Sequence, residues 1–195
     1  MIVTLTGASA AGKTTIENGL RKRLDIRPVV SHTTRPPRES DLSGNYAHVS
    51  EAEFKRMKEA GEFIWSVFLF GNYYGTAMKS LEETALEPDT IFLMLLEPDS
   101  VRTLRLFSDR MNIKTASFYI ISPLPDVLRD RLQKRGDKPE QIEKRITESA
   151  KWDENALKSN IPYIFVKNEG PVEEAVGEIL RTIELFKKLS SKIYF

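Results

Sequence analysis

The sequence predicts an α/β fold in which helices flank a parallel sheet. Three observations carry this reading. β-rich apolar runs recur along the chain, helical segments separate them, and the runs lack polar alternation. A strand that is apolar on both faces is buried on both faces, which is the texture of a parallel sheet covered by helices.

The elements follow in order. Ile2-Val3-Thr4-Leu5-Thr6 is a buried strand that ends at Gly7. A glycine and alanine loop leads into a helix from Thr14 to Leu24, whose end, Arg21-Lys22-Arg23, places cations at a helix C-terminus. Pro28 to Ser31 reads as a short second strand. From His32 to Tyr46 the periodicity stops and Arg, Pro, Ser, Gly and Asn dominate, a long loop of the kind that is functional or disordered in compact domains. Ser50, with Glu53 three residues on, is the capping box of a helix that runs to Ala60 and ends at Gly61. Phe63 to Phe70 and Tyr73 to Met78 read as strands around the turn Gly71-Asn72, and Lys79 to Leu86 as a short helix.

Parallel-sheet texture then resumes. Thr90 to Leu96 and Ala116 to Ile121 are continuous apolar strands, and Pro98 to Arg110 is a helix with proline in its first turn. Pro125 to Lys134 is a helix, Arg135 to Pro139 a loop, and Glu140 to Leu157 a long polar helix. Tyr163 to Val166 is the last strand, and an amphipathic helix from Pro171 closes the chain. The expected organisation is a single domain over 1–195. Its core covers 1–31 and 87–195, a strand-rich insert about 32–86, and a small lid about 135–147.

The 195 residues are 41% apolar and 29% charged, enough for one compact domain with a substantial core. Twenty-nine basic against 28 acidic residues leave a net charge of +1, which argues against generic nucleic-acid binding. The absence of cysteine excludes thiol catalysis, disulfides and thiolate-ligated metals. Met1 to Thr6 is too short for a secretion signal, and Ile91 to Leu96 falls far short of a bilayer. A cytoplasmic protein without membrane partners is expected; the sequence leaves its oligomeric state open.

Gly7-Ala8-Ser9-Ala10-Ala11-Gly12-Lys13-Thr14 fits G-x-x-x-x-G-K-[ST] at every fixed position, between a predicted strand and a predicted helix. Small residues let the backbone wrap a phosphate with its N–H groups inward, and the following helix N-terminus favours negative charge. Lys13 supplies a cation to the β- and γ-phosphates, and the Thr14 hydroxyl, followed by Thr15, is placed to ligate the Mg²⁺ that accompanies ATP. The fold class is therefore an α/β, P-loop NTPase-type parallel sheet.

Ser31-His32-Thr33-Thr34-Arg35-Pro36-Pro37-Arg38 is a second dense patch. Two arginines three apart, stiffened by two prolines, suit either a second phosphate or a solvated surface loop.

Together, the P-loop, Ser31 to Arg38 and Gly71-Asn72-Tyr73-Tyr74-Gly75-Thr76 resemble guanylate kinase. Val49 to Phe54 and Gly61 to Ile64 are similar as well. The similarity is strong from Met1 to Thr76 and weaker but collinear to about Asn168. The resemblance implies that the insert binds the acceptor. Ser31, Arg35, Arg38, Tyr46 and Tyr74 would hold the acceptor monophosphate, and Thr76 would hydrogen-bond the guanine carbonyl oxygen. It further implies that Arg131, Arg135 and Arg145 form a lid over the transferring phosphate, although helix arginines with acidic neighbours are also ordinary solvated groups. It places Asn168 against the donor base. Tyr73 and Tyr74 equally suit a hairpin of cross-strand aromatics.

The chain departs from the family pattern at the base reader. The family reads Phe-x-Glu-Trp where this chain has Phe63-Ile64-Trp65-Ser66, so Trp65 stands in place of a glutamate that accepts from guanine N1 and N2. An indole cannot accept those bonds; it either stacks on a ring or fills the core. The family's Leu-Asp-Ile-Asp becomes Leu93-Met94-Leu95-Leu96, and Asp-Tyr-x-Phe becomes Asn45-Tyr46-Ala47-His48. Only Glu97 supplies a carboxylate at that strand end, either to the acceptor or as a helix N-terminal acid. His32 and His48 are expected to be structural or peripheral.

The leading expectation is an ATP-dependent phosphotransferase, a nucleoside monophosphate kinase acting on GMP. Lys13, Arg35, Arg131 and Arg145 would be its catalytic cations. A related kinase of another or modified nucleoside monophosphate, or of a sugar phosphate, is the alternative. A non-catalytic binding module comes third, opposed by the complete P-loop.

Overall fold

The computed structural model describes residues 1–38, 41, 44–69 and 71–191. Its elements are β1 (Ile2–Thr6), α1 (Lys13–Arg21), β2 (Ile26–Pro28), β3 (Ser31–Thr33), β4 (Tyr46–His48), α2 (Glu51–Glu59), β5 (Phe63–Leu69), β6 (Asn72–Ala77), α3 (Met78–Ala85) and β7 (Ile91–Leu95). They continue with α4 (Pro98–Arg110), β8 (Thr115–Ile120), α5 (Pro125–Lys134), α6 (Pro139–Lys158), β9 (Tyr163–Val166) and α7 (Val172–Ser191). The strands form a five-stranded sheet in the order β2-β7-β1-β8-β9 and a four-stranded sheet in the order β4-β3-β6-β5. By its internal contacts the chain divides into two compact units. One comprises residues 1–2, 26–94 and 102–115, the other 3–25, 95–101 and the described residues from Ala116 onward.

The five-stranded sheet has the expected parallel character. β2 runs parallel to β7 with Ile26 opposite Ile91, and β8 parallel to β9 with Ile120 opposite Val166. All five residues of β1 are buried, as a strand covered on both faces requires. Its C-terminal end delivers the P-loop. Leu128, Leu132 and Ile142 of α5 and α6 make a small core of their own, and Ala10 and Ile146 pack against it.

The four-stranded sheet is mixed. β3 is parallel to β4 and antiparallel to β6, which pairs antiparallel with β5. α2 covers one face: the Phe54 ring stacks on Phe63 and Tyr73, with centroids 4.6 and 5.3 Å away. The pairing shifts between Phe63 and Trp65, where Ile64 is the extra residue, so Phe63 lies opposite Ala77 and Trp65 opposite Thr76. This β-bulge re-aims the strand. Phe63 stays on the α2 face while Trp65 passes to the other.

Two local expectations change. The predicted strand over Pro28 to Ser31 is two three-residue strands in different sheets, β2 and β3, with Val29 and Val30 as the crossing. β3 also takes the first residues of the expected loop. The capping box is half formed: Ser50 Oγ accepts from Glu53 N at 3.1 Å, but the Glu53 carboxylate turns to Arg56. Of the strand expected over Phe63 to Phe70, Phe70 lies outside the described residues.

Candidate active site

The donor half is built on the loop between β1 and α1. Gly12 precedes α1 with φ +105°, a left-handed conformation that favours glycine. A Cβ there would also collide with Asn168 Nδ2. Lys13 Nζ folds back along the loop and donates to the carbonyls of Gly7 and Ala8, at 2.6 and 2.8 Å. Burial, helped by the Arg135 charge, lowers the Lys13 ammonium from 10.5 to about 8. Thr14 and Thr15 follow in the first turn of α1 and are exposed.

Arg131, Arg135 and Arg145 converge on the same loop. Arg131 Nη1 donates to the Ala11 carbonyl at 3.3 Å, and its Nη2 to the Asn168 carbonyl at 2.8 Å. Arg145 Nη1 reaches Ser9 Oγ at 2.7 Å, and Arg135 Nη1 reaches the same oxygen at 3.2 Å. Sequence reasoning missed their counter-ion. Asp137 accepts from Arg135 Nε at 3.2 Å and pairs with Arg145 Nε at 3.4 Å. The turn that aims it is a helix C-terminus: Gly136 takes φ +84°, with bonds from Gly136 N to Gln133 O and from Asp137 N to Leu132 O. The Arg-Gly-Asp order after a helix was the available signal.

Asn168 sits beneath the loop. It is buried, and its Nδ2 donates to the Ala11 carbonyl at 2.8 Å. The structure thus gives it a loop-bracing position, where the resemblance had placed it against the donor base. α6, which carries Arg145, is tied to the end of β8 through Asp153. That carboxylate accepts from Tyr119 Oη at 2.9 Å and from Ser122 N at 3.1 Å. Burial and the adjacent Asp153 charge push the Tyr119 hydroxyl well above its usual range, so it stays a donor.

The candidate acceptor half is the sheet face opposite α2. Register places Ser31, Tyr46, Tyr74, Thr76 and Trp65 together on it. Ser31 Oγ and Thr76 Oγ1 are hydrogen-bonded at 3.0 Å, and Thr76 is fully buried behind Ser31. The Tyr46 and Tyr74 rings meet edge to face with centroids 6.4 Å apart. The Arg35 guanidinium lies 5.4 Å from the Tyr46 ring centre.

Arg35 is buried and held on several sides. Its Nη2 donates to Asp41 Oδ1 at 2.7 Å, its backbone N–H to Thr33 Oγ1, and its carbonyl accepts from His48 Nδ1 at 2.7 Å. Burial alone would raise the Asp41 carboxyl, but the bonds from Arg35 and from Arg38 N outweigh it and hold the group below its ordinary value. Asp41 is therefore a support that sequence reasoning did not identify, while His48 has a structural role of the kind expected of it. Arg38 is exposed.

Of the two roles open to Glu97, the structure shows the helix cap. Its Oε2 accepts from Asp99 N at 2.8 Å and its Oε1 from Ser100 N at 2.6 Å and from Ser100 Oγ. Both oxygens cap α4, because a helix start offers unpaired N–H groups that a carboxylate two or three residues upstream satisfies. It is the helix N-terminal acid. The neighbouring Met94 and Leu96 are buried and apolar.

The comparisons agree with this architecture. The guanylate kinase family model matches residues 1–185. A guanylate kinase of Symbiobacterium thermophilum is 31% identical over 191 residues, 96% of this chain and 86% of its own length. One of Nitrosomonas europaea is 33% identical over 184 residues, 92% of this chain and 87% of its own. A crystal structure of guanylate kinase from Anaplasma phagocytophilum shares the fold, with a TM-score of 0.65 at 24% identity over 95% of this chain and 84% of that one. A family model spanning almost the whole chain, and relatives above 30% identity along most of it, place this protein in the guanylate kinase family.

Proposed function

We propose that the chain transfers the γ-phosphoryl group of ATP to GMP, giving ADP and GDP. The observation that carries this reading is the convergence of Lys13, Arg131, Arg135 and Arg145 on one P-loop, in a chain of the guanylate kinase family. In the reaction a phosphate oxygen of the acceptor forms a bond to the γ-phosphorus. The bond from that phosphorus to the β-bridging oxygen breaks, and ADP leaves with the electron pair. The attacking oxygen is already anionic, so catalysis is positioning and charge neutralisation. Lys13 and the three lid arginines meet the donor's charge. Arg35, Arg38, Tyr46 and Tyr74 hold the acceptor phosphate, with Asp41 and His48 fixing the Arg35 side.

Thr14 is the residue that would hold Mg²⁺. The fit is chemical: its hydroxyl is a neutral oxygen on an exposed side chain in the first turn of α1. Among the described residues no three carboxylate or imidazole groups cluster as a metal site. A hard cation that keeps its waters and takes its remaining oxygens from nucleotide phosphates suits such a position. Bound there, the ion neutralises charge on the β- and γ-phosphates.

The test is ADP release from Mg-ATP with GMP as acceptor. Lys13→Ala is expected to lower kcat/KM about 10²- to 10³-fold or more, the loss typical of one electrostatic donor. Absence of turnover on GMP would overturn the reading.

A further inference from the structure

The candidate acceptor face carries two rows of different chemistry. The first holds Tyr74 beside Thr33, with Arg35 following Thr33 in the chain and its guanidinium over Tyr46. It is cationic and phenolic, suited to a phosphate. The second row lies two residues further along β6, about 7 Å away at strand spacing. It holds Trp65 opposite Thr76, with Thr76 bonded to Ser31.

Among the described residues this second row holds no acceptor-only group. The residues of β3, β4, β5 and β6 include no aspartate or glutamate. Asp41, in the connection between β3 and β4, is bound to Arg35. Guanine differs from other purines by an edge that presents N1–H and N2–H₂ donors, and reading that edge strongly requires a fixed acceptor. An indole has only a donor and a π-face. The Ser31–Thr76 pair is ambivalent: either hydroxyl can donate to the other. The outer oxygen, Ser31 Oγ, can therefore offer a proton to a ring carbonyl or a lone pair to a ring amine. The bulge at Ile64 is what brings the indole to this row, so its presence there is built into the strand rather than a loose rotamer.

We propose that this row binds a purine ring by stacking on Trp65 and by the ambivalent Ser31 hydroxyl, so that the acceptor site takes purine nucleoside monophosphates without selecting the donor edge of guanine. The inference rests on the phosphoryl-transfer reading above. A site that pairs buried polar groups rejects a mismatched analogue by factors of about 10⁴–10⁵, whereas shape alone discriminates by about 10- to 200-fold. Trp65 and Ser31 are then the specificity-determining residues, and the class of acceptor widens from one base to purines.

Three measurements on the full chain test this. With Mg-ATP, kcat/KM for IMP and for AMP should each fall within about 100-fold of that for GMP. A GMP preference beyond that over either one overturns the proposal while leaving the kinase reading intact. Turnover on none of the three overturns the kinase reading instead. Trp65→Glu should raise the GMP:AMP ratio at least about tenfold by restoring a fixed acceptor; an unchanged ratio overturns the proposal. The third measurement does not depend on that variant folding. In Trp152→Phe, Trp65 is the remaining tryptophan, and GMP and AMP should both quench its emission on binding. Quenching by neither, or by GMP alone, overturns the proposal.

Discussion

Lys13 carries two linked predictions at the scale of a single residue, one on stability and one on nucleotide binding. Its ammonium is bonded to two loop carbonyls, and burial together with Arg135 lowers it from 10.5 to about 8. Between those values the unfolded chain binds a proton that the folded chain does not, so the stability of the nucleotide-free protein should rise with pH from about 8 to 10.5. Affinity for ATP should move the other way, because the triphosphate needs the charged form. KM for ATP is expected to climb above pH 8, by up to about tenfold per unit for one titrating group. Lys13→Arg, which stays charged, should flatten that rise; an equal rise in both proteins would remove Lys13 as its cause. The place of Lys13 against the loop was legible in the sequence because backbone spacing alone fixes it in the motif. That of Asn168 was not, because its position under Ala11 depends on where β9 ends in space. Glu97 stayed open for a related reason: a carboxylate before a proline is equally a ligand and a cap, and the bonds to Asp99 N and Ser100 N show the cap.

Among elements, the strongly patterned ones were readable and the three-residue strands were not. β1, α4, α5 and β9 fall where apolar runs, prolines and turn residues place them. β2, β3 and β4 have three residues each, too few to display a period, and their pairing is set by partners distant in sequence. The Ile64 bulge is a pairing event between two strands, so counting along one strand could not find it. Element ends give direct tests. Ser50→Ala removes the oxygen that accepts from Glu53 N and should cost about 1 kcal/mol. For a chain of this size that is about 2–4 °C in Tm, readable by thermal melting with kcat unchanged. At the other end of a helix, Asp137 neutralises Arg135 and Arg145 while both still reach Ser9. Partly exposed pairs of this kind are worth about 0.2–1 kcal/mol. Asp137→Asn should therefore lower KM for ATP by up to about fivefold, since the triphosphate no longer competes with a carboxylate. A raised KM would mean that Asp137 instead orients the two arginines.

For the molecule as a whole, the two half-sites fall in separate compact units: the P-loop and lid arginines in one, Arg35, Tyr46, Trp65 and Tyr74 in the other. The P-loop cations are held by loop carbonyls, Ser9 and Asp137, and the acceptor clamp by Asp41, Thr33 and His48. The supports named here for each half lie within its own unit, so donor and acceptor binding should be separable by mutation. A ligand at 100 times its Kd stabilises the folded chain by about 2.7 kcal/mol, which at this length is about 5–10 °C in Tm. Lys13→Ala should abolish the shift caused by ATP and retain the shift caused by GMP. Tyr74→Phe combined with Arg38→Ala should do the reverse, because these changes remove acceptor contacts and leave the P-loop intact. Phosphoryl transfer should fail in both variants, since it needs both ligands at once. If instead either variant lost both thermal shifts while keeping its own unliganded Tm, the two halves would be energetically coupled in the free protein, and the separation implied by their independent supports would be wrong.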